Sequence, residues 1–210
     1  VYYKLFNDYH EYKFYNINHL DTLNNKSNIE ILNCSFNNLT ELPQLPCNLI
    51  YLECGNNLLT QLPQLPDSLK NLDCNNNHLT LLPQLPSNLK ELYCRNNQLT
   101  ELPQLPSSLI ELICRNNKLT ELPQLPDNLK ILYCFNNQLT QLPELPSNLK
   151  LISCYNNSKN LHKYLIHCKS LFIYKKYNKY KYLDTLNDLL NYIVEKYYYF
   201  RIIKYYIKTC

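Results

Sequence analysis

The sequence predicts a repeat solenoid: stacked coils with a parallel β-sheet on one side, extended non-helical limbs on the other, and a C-terminal α-helical cap. Three observations carry this. Seven units begin at Ile29, Leu49, Leu69, Leu89, Leu109, Leu129 and Leu149, twenty residues apart throughout. Each opens with an apolar pattern of period two, the mark of a strand with one buried face. All twelve prolines fall in the second halves of these units, where they exclude helix by lacking an amide donor and extending their predecessors.

Each unit starts L-x-x-L-x-C-x-x-N, and six continue into x-L-x-x-L-P-x-L-P, as in LKELYCRNNQLTELPQLPSS from Leu89 to Ser108. In the opening, Leu92 and Cys94 alternate with Tyr93 and Arg95. One such coil cannot bury its own leucines. Stacked neighbours create a continuous core, with strands about 4.8 Å apart in a parallel sheet. The Asn at the ninth position (Asn37, Asn57, Asn77, Asn97, Asn117, Asn137, Asn157) then forms a ladder. Its amide both donates to and accepts from backbone groups where the strand leaves the sheet.

This pattern resembles the leucine-rich-repeat family. It is most similar to the short, twenty-residue class with L-P-x-L-P limbs found in secreted effectors of enteric bacterial pathogens. The resemblance runs from Ile29 to about Asn157 and implies an open, curved solenoid with a concave sheet and no helices on the convex side. One departure is consistent: Cys occupies the sixth position of every repeat, where the family usually has Leu or Ile. Some of those effectors carry a separate ubiquitin-ligase domain with a Cys-x-Asp catalytic motif. Cys168 and Cys210 have no such acid, so the carry-over stops at the repeats.

Seven of the ten cysteines (Cys34, Cys54, Cys74, Cys94, Cys114, Cys134, Cys154) share that sixth position. In-register neighbours of a parallel ladder point the same way, with Cβ atoms near 4.8 Å, whereas a disulfide wants about 3.8 Å and converging vectors. No C-x-x-C pair exists, and a linear ladder does not converge on a metal tetrahedron. The thiols are therefore read as small buried hydrophobes. They suit a reducing compartment, the cytoplasm or a host cytoplasm, and the sequons at Asn25, Asn33, Asn38 and Asn156 as chance products of an Asn-rich chain.

No catalytic arrangement is expected. The five histidines are scattered, with only His162, His167 and Cys168 near one another, and Gly55 is the single glycine. That leaves no phosphate-cradling loop. No enzyme, metal, cofactor or small-molecule substrate is predicted.

The flanks differ from the repeats. Residues 1–158 hold ten Lys/Arg and fourteen Asp/Glu, whereas residues 159–210 hold eleven and three. Residues 1–28 read as an N-terminal cap or degenerate repeat, since Tyr9, Tyr12 and Phe14 stand twenty residues before Ile29, Leu32 and Cys34. At the other end Cys168, Leu171 and Ile173 repeat the L-x-x-L-x-L spacing. Leu186, Leu190, Ile193, Tyr197, Phe200 and Ile203 recur at three and four, predicting an amphipathic helix over 185–207 that caps the stack. No secretory signal opens the chain and no stretch is apolar enough to span a membrane, the best, Leu189 to Ile207, being broken by four charges. The missing initiator Met implies residues before Val1. Abundant Asn, Lys, Tyr and Ile with no Ala point to an AT-rich genome, such as that of a protist or large DNA virus.

Function is sought where the repeats differ from one another. Their third, fifth and seventh residues face the concave side. Repeats four to seven read Glu91/Tyr93/Arg95, Glu111/Ile113/Arg115, Ile131/Tyr133/Phe135 and Leu151/Ser153/Tyr155, while the third is the wholly polar Asn71/Asp73/Asn75. Two of the three arginines stack as neighbours, and Glu91 and Glu111, four residues earlier on the same face, either answer their charge or await a partner. Tyr and Arg are the residues most enriched in binding hot spots. The partner-binding surface is therefore assigned to Tyr51, Glu91, Tyr93, Arg95, Glu111, Ile113, Arg115, Ile131, Tyr133, Phe135 and Tyr155, all expected to be exposed. This makes the chain a non-enzymatic scaffold for a partner protein. The alternative is nucleic-acid or anionic-membrane binding by the stretch from Lys159 to Lys181, where seven lysines mix with aromatics and no acid.

Overall fold

The computed structural model describes residues 2–5, 12–13, 28–158 and 161. Seven short strands run parallel, one per repeat: β3 (Ile29–Asn33), β4 (Tyr51–Glu53), β5 (Asn71–Asp73), β6 (Glu91–Tyr93), β7 (Glu111–Ile113), β8 (Ile131–Tyr133) and β9 (Leu151–Ser153). Each pairs with the next at an offset of twenty residues, Leu52 with Leu72 and Leu72 with Leu92. This is the predicted solenoid, with like residues stacked on like.

Two further strands cover the first coil. β1 (Tyr2–Leu5) pairs antiparallel with β3, and β2 (Tyr12–Lys13) pairs antiparallel with β1. Of the two readings of residues 1–28, a cap or a degenerate repeat, this strand order favours the cap. Tyr12 lies two strands away from Leu32, because β1 runs between them in the opposite direction. A reversed strand cannot continue the coil, so it ends the stack and caps its edge. The predicted helix over 185–207, the second degenerate repeat and, apart from Leu161, the Lys159 to Lys181 stretch lie outside the described residues.

The core is one column per repeat position. In the second repeat Leu49, Leu52, Cys54, Leu59, Leu62 and Leu65 are all buried, and their equivalents recur through the following repeats. Burying a leucine is worth about 1.5–3 kcal/mol relative to exposure, so every added coil extends a core that no coil has alone. The second proline of each limb closes a tight turn: its carbonyl accepts from the leucine that opens the next repeat, as from Leu69 to Pro66 at 3.0 Å.

The ninth-position asparagines do what their spacing predicts. Asn77 Nδ2 donates to the carbonyls of Cys54 and Cys74, each at 3.1 Å, and its Oδ1 accepts the amide of Leu59 at 3.0 Å. Asn117 repeats the set with Cys94, Cys114 and Leu99. One side chain thus satisfies backbone groups of two successive coils.

A second asparagine ladder, at the eighth position, was not foreseen. Asn56, Asn76, Asn96, Asn116, Asn136 and Asn156 all hold positive φ, between 51° and 57°. Asn is one of the few residues that visit this left-handed region readily. Their side chains bond in a single direction, Asn76 to Asn56 at 2.9 Å and Asn156 to Asn136 at 2.7 Å. In the first repeat the same position is Phe36, with φ 60° and a side chain 79% exposed. A bulky aromatic there is strained and packs against little.

The sixth-position thiols are free, and burial pushes those of Cys34, Cys114 and Cys154 up to about 12. Cys47, by contrast, is exposed. Iodoacetamide on native protein should therefore alkylate Cys47 while sparing Cys94 and Cys114 until denaturant is added. Peptide mass spectrometry reads this directly, and fast native labelling of Cys94 or Cys114 would contradict the register. Phe36→Asn should raise stability by about 1 kcal/mol, the order of the left-handed penalty it relieves, and should extend the eighth-position ladder by one rung. A denaturant titration that finds Phe36→Asn less stable would show that the aromatic is held by packing.

Candidate interaction surface

On the strands, alternation sends the fourth and sixth residues into the core and leaves the third, fifth and seventh on the sheet face. The burial pattern intermediate–buried–intermediate recurs in β5 through β9. Every residue assigned to the surface from sequence lies on this face, in one of three columns. The third-position column runs Tyr51, Asn71, Glu91, Glu111, Ile131 and Leu151. The fifth-position column runs Glu53, Asp73, Tyr93, Ile113, Tyr133 and Ser153. The seventh-position column runs Gly55, Asn75, Arg95, Arg115, Phe135 and Tyr155.

The sequence reading expects these side chains to stand free in solvent. Only Tyr51 does, at 42% exposure, and the other ten are half-buried. Neighbours in a column are one strand spacing apart, about 4.8 Å, so each large side chain shields the next. Phe135 and Tyr155 illustrate this: their rings stack at 4.4 Å between centroids and 11° between planes. The Arg115 guanidinium lies over the Phe135 ring at 5.1 Å, a cation–π arrangement.

Of the two roles open to Glu91 and Glu111, answering the arginines is not the one their contacts favour. They are partners across β6 and β7, about 13 Å of extended chain from the seventh-position column. Glu91 accepts from the Tyr93 hydroxyl at 3.0 Å and from the Asn71 amide. Burial, then repulsion from Glu91, raises the Glu111 carboxyl above its usual range, and a bond from Tyr93 partly offsets this. Burial and the two glutamates raise the Tyr93 phenol in turn.

Asp73 lies within electrostatic reach of Arg95. Burial raises its pKa, while the Asn75 amide, donating to Oδ1 at 2.9 Å, and the charge of Arg95 pull it down. Gly55 makes room for it, since a Cβ there would stand 3.2 Å from Asp73 Oδ1. Asn75 also accepts the Arg95 backbone amide at 2.8 Å. Sequence reasoning placed Asn71, Asp73 and Asn75 on the face but left them out of the site. The diagonal reach from a fifth-position acid to a seventh-position arginine was the signal available. The Arg95 Nε is buried without a hydrogen-bond partner.

Among the described residues, no group of three or more His, Cys, Asp or Glu side chains is placed to hold a metal ion. The surface offers charge, aromatic stacking and hydrogen bonding along a ladder.

Comparison with known proteins agrees with this architecture. The family model described as Leucine Rich repeats (2 copies) matches residues 107–147, and the Leucine Rich Repeat model matches 28–49 and 88–109. No curated protein matches the sequence. Among solved structures, YopM from Yersinia enterocolitica is 41% identical with a TM-score of 0.62, covering 67% of this chain and 31% of its own. YopM from Yersinia pestis, titled a leucine-rich effector protein, is 34% identical with a TM-score of 0.54, covering 63% and 46%. A Shigella effector LRR domain is 29% identical with a TM-score of 0.59, covering 78% and 80%. The chain thus spans less than half the length of the two Yersinia proteins.

Because the Glu111 pKa is raised, ionising it costs stability above its folded pKa, and that cost vanishes below the unfolded value of 4.5. Glu111→Gln should therefore melt higher than the parent near neutral pH, and the gap should close below pH 4.5. A gap that persists in acid would trace the effect to packing. The matched segments carry leucine-rich repeats, and the twenty-residue solenoid they belong to is similar to those of bacterial effector proteins.

Proposed function

We propose that the chain is a non-enzymatic scaffold that holds a partner protein on the concave face of its fourth to seventh repeats. One observation carries the reading. Core positions are nearly identical in all seven repeats, whereas the sheet face changes from wholly polar at Asn71, Asp73 and Asn75 to aromatic and cationic at Tyr93, Arg95, Tyr133 and Phe135. The fold does not require that variation, and Tyr and Arg are residues on which interfaces concentrate their energy. Six thiols buried in the core, with Cys154 packed against it, support action in a reducing compartment.

The test is affinity capture from a lysate of the source organism, followed by titration of the captured partner against variants. Tyr93→Ala and Tyr133→Ala should each weaken binding by about 2 kcal/mol or more. Gln104→Ala and Gln124→Ala, exposed on the convex limb, should leave it unchanged. Because the face residues are half-buried, truncating an aromatic should also cost about 1 kcal/mol of stability, so melting temperature is measured alongside affinity. Binding that ignores the face variants but disappears on removing residues 159–181 would transfer the function to nucleic-acid or membrane contact by the basic segment.

A further inference from the structure

Beyond the concave face, we propose that the second-position column of the third to seventh repeats is a docking edge for an acidic protein segment. The segment is extended, with acids at its residues i and i+4 and an apolar residue at i+2. This edge and the concave face are separate surfaces, and either can bind without the other.

Backbone bonds fix the column. The residues that follow each opening leucine stack in an unbroken run: Lys70 N–H donates to Ile50 O at 2.9 Å, Lys90 to Lys70 at 2.7 Å, and Ile110 to Lys90 at 2.8 Å. Lys130 donates to Ile110 and Lys150 to Lys130, each at 2.8 Å. From the third repeat onward the column thus reads Lys70, Lys90, Ile110, Lys130, Lys150, two lysine pairs on either side of one isoleucine. All four lysines are exposed, and Ile110 is half-buried. Residues 28–158 hold five lysines, and four of them stand here, although acids outnumber bases eleven to seven over those residues. The fifth, Lys118, donates to Gln98 Oε1 at 3.2 Å. Among the described residues, none of the four column ammonium groups has a hydrogen-bond or ion-pair partner.

Spacing selects the pattern of the occupant. Coils lie about 4.8 Å apart, so the midpoint of Lys70 and Lys90 is about 7 Å from Ile110. Ile110 is the same distance from the midpoint of Lys130 and Lys150. Side chains on one face of an extended chain recur every second residue, about 6.7 Å apart. A strand laid across the coils therefore sets one acid between each lysine pair and an apolar residue on Ile110. Each carboxylate meets two ammonium groups and relieves the repulsion that the shared column imposes on them. The apolar stems of Lys90 and Lys130 flank Ile110 and widen the apolar step.

Charge and width favour a protein segment over other polyanions. Asp67 and Asp127, both exposed, precede Lys70 and Lys130 by three residues and border the column. A nucleic-acid duplex or an anionic membrane is broader than one chain and would meet those acids as well. A single nucleic-acid strand carries a phosphate on every nucleotide, whereas Ile110 calls for a step without charge. Ahead of Lys70 the column holds Ile50 and Glu30, which stop a longer polyanion from continuing along it. Such alternation of matched and mismatched positions is how charge confers specificity on an interface.

The experiment uses the full chain and three end-blocked peptides carrying a neutral fluorophore: Ser-Asp-Thr-Leu-Thr-Asp-Ser, its neutral counterpart Ser-Asn-Thr-Leu-Thr-Asn-Ser, and the rearranged Ser-Asp-Asp-Leu-Thr-Thr-Ser. Anisotropy titrations at about 20 mM salt, where exposed charges are little screened, are followed by competition with oligothymidylate and co-sedimentation with phosphatidylserine vesicles. The first peptide should bind about tenfold more tightly than the neutral one and about threefold more tightly than the rearranged one. Lys90→Gln and Lys130→Gln should each weaken it about threefold, and the double variant should lose the preference for acid. Lys118→Gln should change nothing. All three sites are exposed, so melting temperatures should stay at the parent value. Equal affinity for the acidic and neutral peptides, or no binding by any peptide up to about 1 mM, would overturn the proposal. So would rearranged peptide binding as tightly as the first, since the spacing would then select nothing. A preference for acid that survives the double variant would move it to other cations, such as the Lys159 to Lys181 stretch. Displacement by oligothymidylate at lower concentration than unlabelled peptide, or vesicle binding that the double variant loses, would replace the protein segment with a nucleic acid or a membrane. A captured partner that needs Tyr93 and Tyr133 but ignores the lysine variants, with no peptide preference, would remove this edge and leave the concave scaffold standing.

Discussion

Everything in this molecule hangs on one side-chain amide per coil. At the ninth position of each repeat the strand turns out of the sheet, and backbone carbonyls and amides there lose their ladder partners. Asn57 supplies them for two coils at once, donating to Cys34 O at 2.9 Å and Cys54 O at 3.0 Å while accepting the Leu39 amide at 2.9 Å. A buried polar group left unpaired costs about 1–3 kcal/mol. Sliding one coil against the next by a single residue would strand several such groups per repeat. The amide therefore locks the offset of twenty residues along the stack.

A locked offset turns repeat positions into columns, and columns determine the chemistry of the surface. Each face residue has its counterparts from adjoining repeats as nearest neighbours. That places aromatic on aromatic at Phe135 and Tyr155, acid beside acid at Glu91 and Glu111, and arginine beside arginine at Arg95 and Arg115. Aromatics gain from the enforced proximity, while like charges do not. Burial, then the neighbouring Glu91, raises the Glu111 carboxyl.

Proline and asparagine divide the labour of the coil. The prolines keep the convex limb extended and place a carbonyl for the turn that restarts each strand. The eighth-position asparagines supply the left-handed residue that bends the chain away from the sheet. Phe36 shows that the bend is imposed by the coil and not by the residue, since it adopts the same conformation without the side chain suited to it. Antiparallel β1 then ends the stack on the side where the first coil would otherwise present an open edge.

Sequence alone determined the solenoid, its register, its buried columns and the identity of every residue on the face. A period of twenty with alternating apolar positions admits no other way to bury the leucines, and strand alternation then settles which side chains point outward. Three things needed tertiary structure. The capping role and direction of β1 depend on pairing between residues about thirty apart that share no repeat pattern. Half-burial of Tyr93, Tyr133 and Phe135 depends on the shielding each receives from its column. The engagement of Glu91 by Tyr93 and by Asn71 of the preceding coil depends on side-chain reach that the repeat pattern does not state. A one-dimensional repeat specifies which residues are neighbours, but the strength of each contact is set by side-chain reach across strands that only the folded stack brings together.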